Sequence, residues 1–248
     1  VKELDEFFKT TGYPRRPYFY IIKWLVDLVK DYGIDGYRVD TAKHTEEQVW
    51  NDLYKEAAKA YELWKKAHPG ELKGSTDFYM VGEVYNYFIG GGRLYDFGDK
   101  QVDYFNYGFH ALINFDFKSD AHMPYEKLFT KYNVALHGPL QGKSVLNYIS
   151  SHDDGGPFDK ERKRNYEAGT KLLLAPGISQ VYYGDETARK LIVEGAIGDA
   201  NLRSNMNWDE IKNNPETQKV LTHWQKLGQF RRNHTAIGAG KHQMVSNS

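Results

Sequence analysis

The sequence predicts an α/β fold built on a parallel sheet of about five strands. Short apolar segments alternate along the chain with longer amphipathic segments, which is the pattern of parallel strands joined by helices. Several of the short segments end in a charged residue where a loop begins. The chain has 248 residues, enough for one large domain with a sizeable core. The alternation alone is compatible with a doubly wound sheet and with a (β/α) barrel.

Hydrophobic periodicity predicts where the elements lie. The predicted strands cover 34–39, 78–85, 102–107, 144–150 and 178–183, with 112–117 either extending the third strand or starting a helix. The predicted helices cover 18–31, a long segment that ends before Pro69, 124–136, 160–174 and 216–232. Thr45 and Gln48 have the spacing of a capping box at the start of the long helix. Residues 1–16 are polar and lead into a loop.

Composition excludes several classes of partner. Thirty-three basic residues balance thirty-three acidic residues, so no net charge steers the chain toward nucleic acid or an anionic membrane. No apolar run approaches the roughly 18 residues of a membrane span. Cysteine is absent, which excludes disulfides and thiol chemistry. We therefore expect no nucleic acid partner and no membrane span.

Carboxylates follow the predicted strands in a recurring way. Asp40, Glu83 and Asp153 each come at or just after the end of a predicted strand, and Asp185 follows a fourth. The carboxyl ends of parallel strands share one face, which carries the active site in characterised (β/α)8 enzymes. Arg38 is two residues before Asp40, so both side chains point to the same face of a strand. A single such pair is more often a structural ion pair, but the recurrence favours a functional site.

Clustered carboxylates support two kinds of chemistry. They can hold divalent cations, as in two-metal hydrolases. Alternatively, one carboxylate can attack or stabilise a sugar while another protonates the leaving oxygen. Arg38 would compete with a cation next to Asp40, which argues against the metal site without excluding it.

Three motifs carry a resemblance to a known family. The segment from Gly36 to His44, GYRVDTAKH, resembles the strand-4 motif of the α-amylase family of glycoside hydrolases. Val81–Val84, VGEV, resembles its strand-5 motif, and Tyr148–Asp153, YISSHD, its strand-7 motif, with Ser151 where the family usually has Asn. The segments 181–186 and 203–208 look like the end of strand 8 and the loop after it. The resemblance covers about residues 18–240.

This resemblance implies the C-terminal portion of a (β/α)8 TIM barrel, strands 4 to 8. Residues 1–240 would be the catalytic barrel portion and 241–248 a tail leading out of it. Barrel strands 1 to 3, the calcium-binding excursion and the C-terminal β-sandwich of the family have no counterpart in the sequence. Strands cut from a closed barrel leave open edges. We therefore expect the fold to be incomplete on its own, with the remainder of the barrel supplied by sequence that is missing here.

The resemblance also implies roles for individual residues. Asp40 would be the nucleophile, Glu83 the general acid and then the base, and Asp153 a group that binds sugar hydroxyls in the transition state. Arg38 would keep Asp40 ionised and aligned. His152 would hydrogen bond the sugar in the cleavage subsite.

Lys43 and His44 refine the resemblance. A Lys-His pair at this position is similar to that of endo-acting α-amylases and cyclodextrin-forming relatives, where it contacts the leaving-group sugar. The main-chain carbonyl of His44 would also bind a structural Ca²⁺ in such proteins. The alternative for His44 is an ordinary polar residue ahead of a helix. No organic cofactor is expected.

The expected function is therefore cleavage of internal α-1,4 bonds in an α-glucan polysaccharide or maltooligosaccharide. A related transglycosylase, similar to cyclodextrin glucanotransferases, would share all three motifs. A catalytically silent barrel used for binding is a further possibility, and so is a two-metal hydrolase. By analogy with polymer-degrading relatives, we expect an extracellular or periplasmic location.

Overall fold

The computed structural model describes residues 2–72 and 77–245. Its helices are α1 Lys2–Thr11, α2 Pro17–Tyr32, α3 Glu47–Ala67, α4 Phe117–Asp120, α5 Tyr125–His137, α6 Asn165–Leu174, α7 Trp208–Asn213, α8 Pro215–Asn233 and α9 Ala236–Ala239. Its strands are β1 Gly36–Val39, β2 Tyr79–Gly82, β3 Tyr95–Asp96, β4 Gln101–Val102, β5 Ala111–Asn114, β6 Ser144–Asn147 and β7 Ile178–Ser179. Short 3₁₀ turns lie at Ala42–His44, Ile89–Gly91, Tyr104–Tyr107 and Gly198–Arg203. None of the helices within these described ranges is both long and apolar enough to cross a membrane.

The main sheet confirms the predicted fold class. Its five strands follow the order β1-β2-β5-β6-β7, which is also the order in which the strands of this sheet occur along the chain. The pairs β1–β2, β2–β5 and β6–β7 are parallel. A five-stranded parallel sheet whose other strands are connected through α-helices, with a hairpin in place of a helix between β2 and β5, fits part of a (β/α)8 barrel. Strands β3 and β4 form a separate antiparallel hairpin.

The predicted third strand at 102–107 is wrong. Val102 ends the β3–β4 hairpin, and Tyr104–Tyr107 is a 3₁₀ turn. The Asp103 side chain starts this turn by accepting from the N–H of Phe105, and Gly108 ends it at φ 92°. The third strand of the sheet is β5, whose four residues are all buried. The aromatic residues of this 3₁₀ turn therefore have a sequence pattern that is also typical of a buried strand.

Contacts divide the chain into two compact units, residues 1–85 with 93–112 and residues 86–92 with 113–248. In the first unit, the predicted capping box is wrong. Thr45 ends the preceding 3₁₀ turn, and α3 starts at Glu47 without a side-chain cap. Gln48 instead donates to Asp52 at 2.9 Å. The indole of Trp50 donates to the Ala42 carbonyl at 2.9 Å, which fastens α3 to the turn that follows β1.

The start of the chain also differs from the prediction. The sequence pattern predicts a polar segment and a loop over residues 1–16, but Lys2–Thr11 forms the helix α1. Phe8 is its buried residue and packs edge-on against Tyr20 of α2, with ring centroids 4.9 Å apart. Leu4, Phe7 and Phe8 give this helix an amphipathic pattern, which the prediction of a polar segment overlooked.

The second unit is organised around a buried polar network. The amide of Asn114, at the end of β5, donates to the Tyr132 hydroxyl at 2.7 Å and to Asn147 of β6 at 3.0 Å. Tyr132 in turn donates to Asp120 at 3.0 Å, and Asn147 to the Pro176 carbonyl at 3.0 Å. Asn114 and Asn147 are fully buried. Because these groups satisfy one another, the cost of burying them is offset, and they fix how β5 and β6 pack against α5.

Helix α2 is apolar on two opposite faces. One face is buried and includes Ile22, Val26 and Val29. On the opposite face Ile21 and Trp24 are more than half exposed, and Leu28 and Tyr32 continue this stripe along the helix. A surface helix normally has a polar outer face, so the second stripe is typical of a helix covered on both sides. This agrees with the prediction that the barrel portion is incomplete.

Two adjacent isoleucines test which face of α2 stabilises the chain. Ile22 is 2% exposed and Ile21 is 52% exposed. Ile22→Ala should lower the free energy of unfolding by about 2–5 kcal/mol, because it leaves a cavity in the core. Ile21→Ala, the matched control, should change it by less than about 0.5 kcal/mol in this chain. Denaturant unfolding measures both, and equal losses would contradict this assignment of the faces.

Candidate active site

Arg38 joins two of the predicted catalytic carboxylates. Its Nη1 forms an ion pair with Asp40, and its Nη2 lies 3.2 Å from Oε2 of Glu83. The strand register explains this geometry, since Val39 of β1 pairs with Gly82 of β2. Asp40 and Glu83 therefore leave neighbouring strands side by side. The Glu83 side chain is 9% exposed and that of Asp40 is 65% exposed, so the two carboxylates have different environments.

The backbone around Glu83 holds this residue firmly. Its N–H donates to the Val39 carbonyl at 2.8 Å, and its carbonyl accepts from the N–H of Ala42 at 2.8 Å. The N–H of Thr41 donates to Oε2 of Glu83 at 2.9 Å. Thr41 has a positive φ of 46°, which is rare for a β-branched residue and costs about 1–3 kcal/mol. Strained backbone thus directs an N–H at the Glu83 carboxylate.

Gly82 lets β2 approach its neighbours closely just before Glu83. A β-carbon at this position would lie 2.8 Å from a ring carbon of Phe109, which is buried. Any larger residue would have to displace that ring. The glycine in the VGE motif is therefore required by packing in this chain.

Lys43 lies against two tyrosines. Its Nζ donates to the Tyr95 hydroxyl at 3.0 Å and to the Tyr85 carbonyl at 3.3 Å. The same nitrogen is 5.1 Å from the ring centroid of Tyr85 and 5.4 Å from that of Tyr95. Tyr85 follows Glu83 by two residues, so Lys43 lies beside the segment that carries this carboxylate. The sequence pattern did not identify Tyr85 or Tyr95, because aromatic residues are common throughout the chain.

His44 ends the 3₁₀ turn Ala42–His44 and is exposed. Its N–H donates to the Thr41 carbonyl at 3.0 Å. Within residues 2–72 and 77–245, no three His, Cys, Asp or Glu side chains form a group suited to a metal ion. A calcium shell that includes the His44 carbonyl would need further oxygen ligands, since calcium takes about six to eight.

His152 and Asp153 lie in the second unit, in the loop after β6. Nε2 of His152 is 3.3 Å from Oδ2 of Asp153, and the Ser151 hydroxyl donates to Oδ1 at 3.1 Å. Nε of Arg203 donates to the His152 carbonyl at 2.9 Å. Ser151, the residue that departs from the family pattern, thus forms a direct hydrogen bond with Asp153.

Asp154 anchors the same loop, and the sequence pattern did not single it out. Lys118 and the Tyr148 hydroxyl each donate to its carboxylate at 2.6 Å, and the N–H of Gly156 donates at 3.1 Å. Burial raises the pKa of Asp154, but Lys118, Tyr148 and Gly156 together lower it below the ordinary value. This anchored anion fixes the chain directly after Asp153.

Asp185, which follows the last strand, has a structural role. It is buried and accepts from the Ser150 hydroxyl and, at 3.3 Å, from the N–H of Tyr182. Burial raises the pKa of Asp185, and the nearby Arg162, at 2.9 Å, opposes this effect. For this carboxylate the ordinary interpretation, an ion pair at a strand end, is correct.

Comparisons with known proteins show the family. Residues 18–226 match the family described as "Alpha amylase, catalytic domain". A periplasmic alpha-amylase of Escherichia coli (strain K12) is 40% identical over 93% of this chain and 32% of its own length. A cyclomaltodextrinase of Bacillus sp is 25% identical over 92% of this chain and 37% of its own length. The chain thus spans about a third of the length of these relatives.

Solved structures show the same fold. AmyP in complex with maltose has a TM-score of 0.65 at 14% identity and covers 93% of this chain and 52% of its own. An alpha-amylase of Geobacillus thermoleovorans complexed with acarbose has a TM-score of 0.60 at 18% identity, over 89% of this chain and 45% of its own. These shares fit a partial barrel.

The fold and the family match define part of a (β/α) barrel of the alpha-amylase catalytic-domain type. This chain belongs to the alpha-amylase family, and the predicted resemblance is confirmed. The roles predicted for Asp40, Glu83, Asp153, His152 and Lys43 stay predictions, to be tested by experiment.

The anchor of the Asp153 loop should be sensitive to pH. A carboxylate whose pKa is lowered in the folded state stabilises the fold above its unfolded pKa, about 3.9, and loses this effect as the pH falls through the folded pKa. Asp154→Asn should therefore lower the unfolding midpoint at pH 7, and the difference from wild type should shrink below about pH 4. Thermal unfolding at both pH values tests this.

The exposed Asp99 provides the matched control for this experiment. Asp99→Asn should leave the midpoint unchanged at both pH values. A loss for Asp154→Asn that is equally large at pH 7 and pH 3 would contradict the ionic role of Asp154.

Proposed function

We propose that this chain supplies the catalytic carboxylates of a retaining glycoside hydrolase that cleaves internal α-1,4-glucosidic bonds of starch-type polysaccharides. One observation carries the proposal: a single arginine, Arg38, holds the carboxylates of Asp40 and Glu83 side by side. Retaining glycosidases need two close carboxyl groups with different tasks. The positive charge of Arg38 beside both carboxylates also disfavours a divalent cation at the same carboxylates.

The different environments of Asp40 and Glu83 support different roles for them in a two-step reaction. In the first step, the Asp40 carboxylate attacks the anomeric carbon while the glycosidic bond breaks and Glu83 gives its proton to the leaving oxygen. This leaves a covalent glycosyl-Asp40 intermediate and an ionised Glu83. In the second step, Glu83 takes a proton from water, the water oxygen attacks the anomeric carbon, and Asp40 is released. These steps need only the two carboxyl groups and water, so the proposal includes no organic cofactor.

The hydrogen bonds of Glu83 orient its carboxyl group. Arg38 and the N–H of Thr41 both contact Oε2. These contacts hold Glu83 next to Asp40 in one orientation, from which it would give its proton to the leaving oxygen and later take one from water.

The remaining predicted residues would bind the sugar. Asp153 would accept from sugar hydroxyls and stabilise the distorted ring, and His152 would donate to the same sugar. Lys43 and His44 would contact the leaving-group side. The contacts of Asp153 with Ser151 and His152, and the anchored Asp154 after it, support a carboxylate held in one orientation.

The names of similar proteins support an α-glucan substrate. They include alpha-amylases, and some of the solved structures are complexes with maltose, maltotriose or acarbose. The similarity to a periplasmic alpha-amylase supports a periplasmic or extracellular location. Cyclomaltodextrinases are also among the relatives, which favours cyclic maltodextrins as a second candidate substrate.

Transglycosylation and a silent barrel would each give a different result with starch. A cyclodextrin glucanotransferase-like enzyme would release cyclic products, whereas the proposed hydrolase releases linear oligosaccharides. Chromatography of the products distinguishes these outcomes. A silent binding barrel would bind maltooligosaccharides without releasing any product.

Glu83→Gln tests the proposed acid. In the complete natural polypeptide that contains this chain, the substitution should lower the rate of starch hydrolysis by at least about a hundredfold, because glutamine cannot donate the proton. Binding of maltooligosaccharide should persist. Glu71→Gln, on an exposed turn after α3, is the matched control and should hydrolyse starch normally. Near-normal hydrolysis by Glu83→Gln would rule out this assignment.

We also propose a structural Ca²⁺ that binds in part to the main-chain carbonyl of His44, together with further oxygen ligands. Removing calcium from the complete polypeptide with a chelator should lower its thermal unfolding midpoint, and added Ca²⁺ should restore it. Mg²⁺ should restore it less, since its smaller octahedral shell fits carbonyl sites poorly. A midpoint that does not respond to chelation would contradict the proposal.

A further inference from the structure

The β3–β4 hairpin brings a tyrosine from a separate segment to the candidate active site. Tyr95 pairs with Val102, and Asp96 pairs with Gln101. This hairpin lies in the connection between β2 and β5, which contains no α-helix. It reaches back to the residues that follow β1, where its Tyr95 meets Lys43 at 3.0 Å. None of the three family motifs includes a residue of this hairpin.

Several contacts hold the hairpin in place. Asp96 accepts from the N–H of Gly98 at 2.7 Å and from Gln101 at 3.2 Å, which closes the turn. Lys100 lies 3.3 Å from Glu47, in the first turn of α3. The Tyr95 ring packs edge-on against Phe97, with centroids 4.9 Å apart. The hairpin is therefore fixed to α3, next to the turn that carries Lys43.

The hydrogen bonds of Tyr95 have a defined direction. Its hydroxyl donates its single proton to the Tyr85 carbonyl at 2.9 Å. The oxygen can then act only as an acceptor toward the ammonium of Lys43. Lys43 also donates to the same Tyr85 carbonyl, at 3.3 Å. The Lys43 ammonium, the Tyr95 hydroxyl and the Tyr85 carbonyl thus form a closed triangle of hydrogen bonds. Each donated proton in this triangle has a single acceptor.

This triangle leaves one donor of Lys43 available. An ammonium group has three protons. Two are directed at Tyr95 and Tyr85, and within the described residues no third hydrogen-bond partner of Lys43 is present. The ring of Tyr85 beside it is about half exposed. A fixed cationic donor beside an exposed aromatic face suits a sugar, which offers a hydroxyl and an apolar ring face.

We propose that Tyr95 is a positioning residue: its hydroxyl orients Lys43 so that the third ammonium proton points at a hydroxyl of the bound glucan. The hairpin then sets the affinity for the part of the glucan that contacts Lys43, while the carboxylates of Asp40 and Glu83 perform the cleavage. This inference rests on the proposed function. It adds a specificity-determining element that lies outside the catalytic motifs.

Tyr95→Phe tests the inference in the complete natural polypeptide. The substitution keeps the ring but removes the hydroxyl, so Lys43 loses one partner and its orientation. KM for maltoheptaose should rise about threefold to tenfold, the effect of one hydrogen bond, with kcat nearly unchanged. Tyr104→Phe is the matched control, because within the described residues the buried Tyr104 hydroxyl has no hydrogen-bond partner. It should leave KM unchanged.

A double-mutant cycle separates positioning from a structural role. In a Lys43→Met background, Tyr95→Phe should raise KM no further, since there is no ammonium left to orient. An equal rise in both backgrounds, or a lowered unfolding midpoint that accounts for the loss, would overturn the inference. An unchanged KM for Tyr95→Phe in the Lys43 background would overturn it as well.

Failure of this inference differs from failure of the proposed function. Normal hydrolysis by Glu83→Gln would overturn the assignment of catalysis, whatever the result at Tyr95. A wild-type polypeptide that binds no maltoheptaose would overturn both. If wild type binds and cleaves the oligosaccharide and Glu83→Gln does not cleave it, the Tyr95→Phe result concerns the positioning role alone.

Discussion

The ion pairs of Arg38 with Asp40 and Glu83 are the interaction on which the candidate site depends. Two carboxylates that lie close together repel each other and raise the free energy of the ionised pair. One guanidinium with its planar fork can face both and compensate this repulsion. The parallel pairing of β1 with β2 brings the three side chains to adjacent positions, and the N–H of Thr41 adds a directed donor. The positions of the charged side chains at the edge of the sheet therefore depend on the strand register.

The loops after the strands are held by buried or paired charges. In the second unit, Asp154, the residue after Asp153, accepts hydrogen bonds from Lys118 and Tyr148. Asp185, which follows the last strand, accepts a hydrogen bond from Ser150. In the first unit, the hairpin residue Tyr95 fixes Lys43. Asp154 directly follows Asp153, Tyr95 contacts Lys43, and Ser150, the partner of Asp185, lies two residues before His152. Residues that contact functional side chains in this way fix their rotamers. A site with fixed rotamers can bind its ligand in one defined orientation.

Carboxylates of similar position have different roles in this chain. Asp40, Glu83, Asp153 and Asp185 all follow strands of the main sheet. Asp185 is buried and fully engaged by protein groups, whereas Asp40 and Asp153 are substantially exposed. A carboxylate that is available to a ligand must keep part of its surface open. Burial therefore separates Asp185 from Asp40 and Asp153, but not from Glu83, which is also largely buried and is distinguished by its place beside Arg38 and Asp40.

The sequence by itself determined the fold class, most of the sheet strands and the identity of the candidate carboxylates. It could do so because apolar periodicity and strand-end charges are local signals, and because the three motifs lie within a few residues of these strand ends. It did not reveal β5 as the third strand or α1, and it suggested a capping box where Thr45 in fact ends a turn. At these places local patterns of aromatic or capping residues compete with the packing of distant segments.

Only the tertiary structure decided which residues meet across the chain. Arg38 reaches Glu83 because β1 and β2 pair in one register, although 45 positions separate the two residues in the sequence. Tyr95 meets Lys43 because a hairpin folds back onto α3. Such contacts depend on strand register and loop conformation. A single sequence carries no local signal for either, so the partners that orient the site became visible only in the fold.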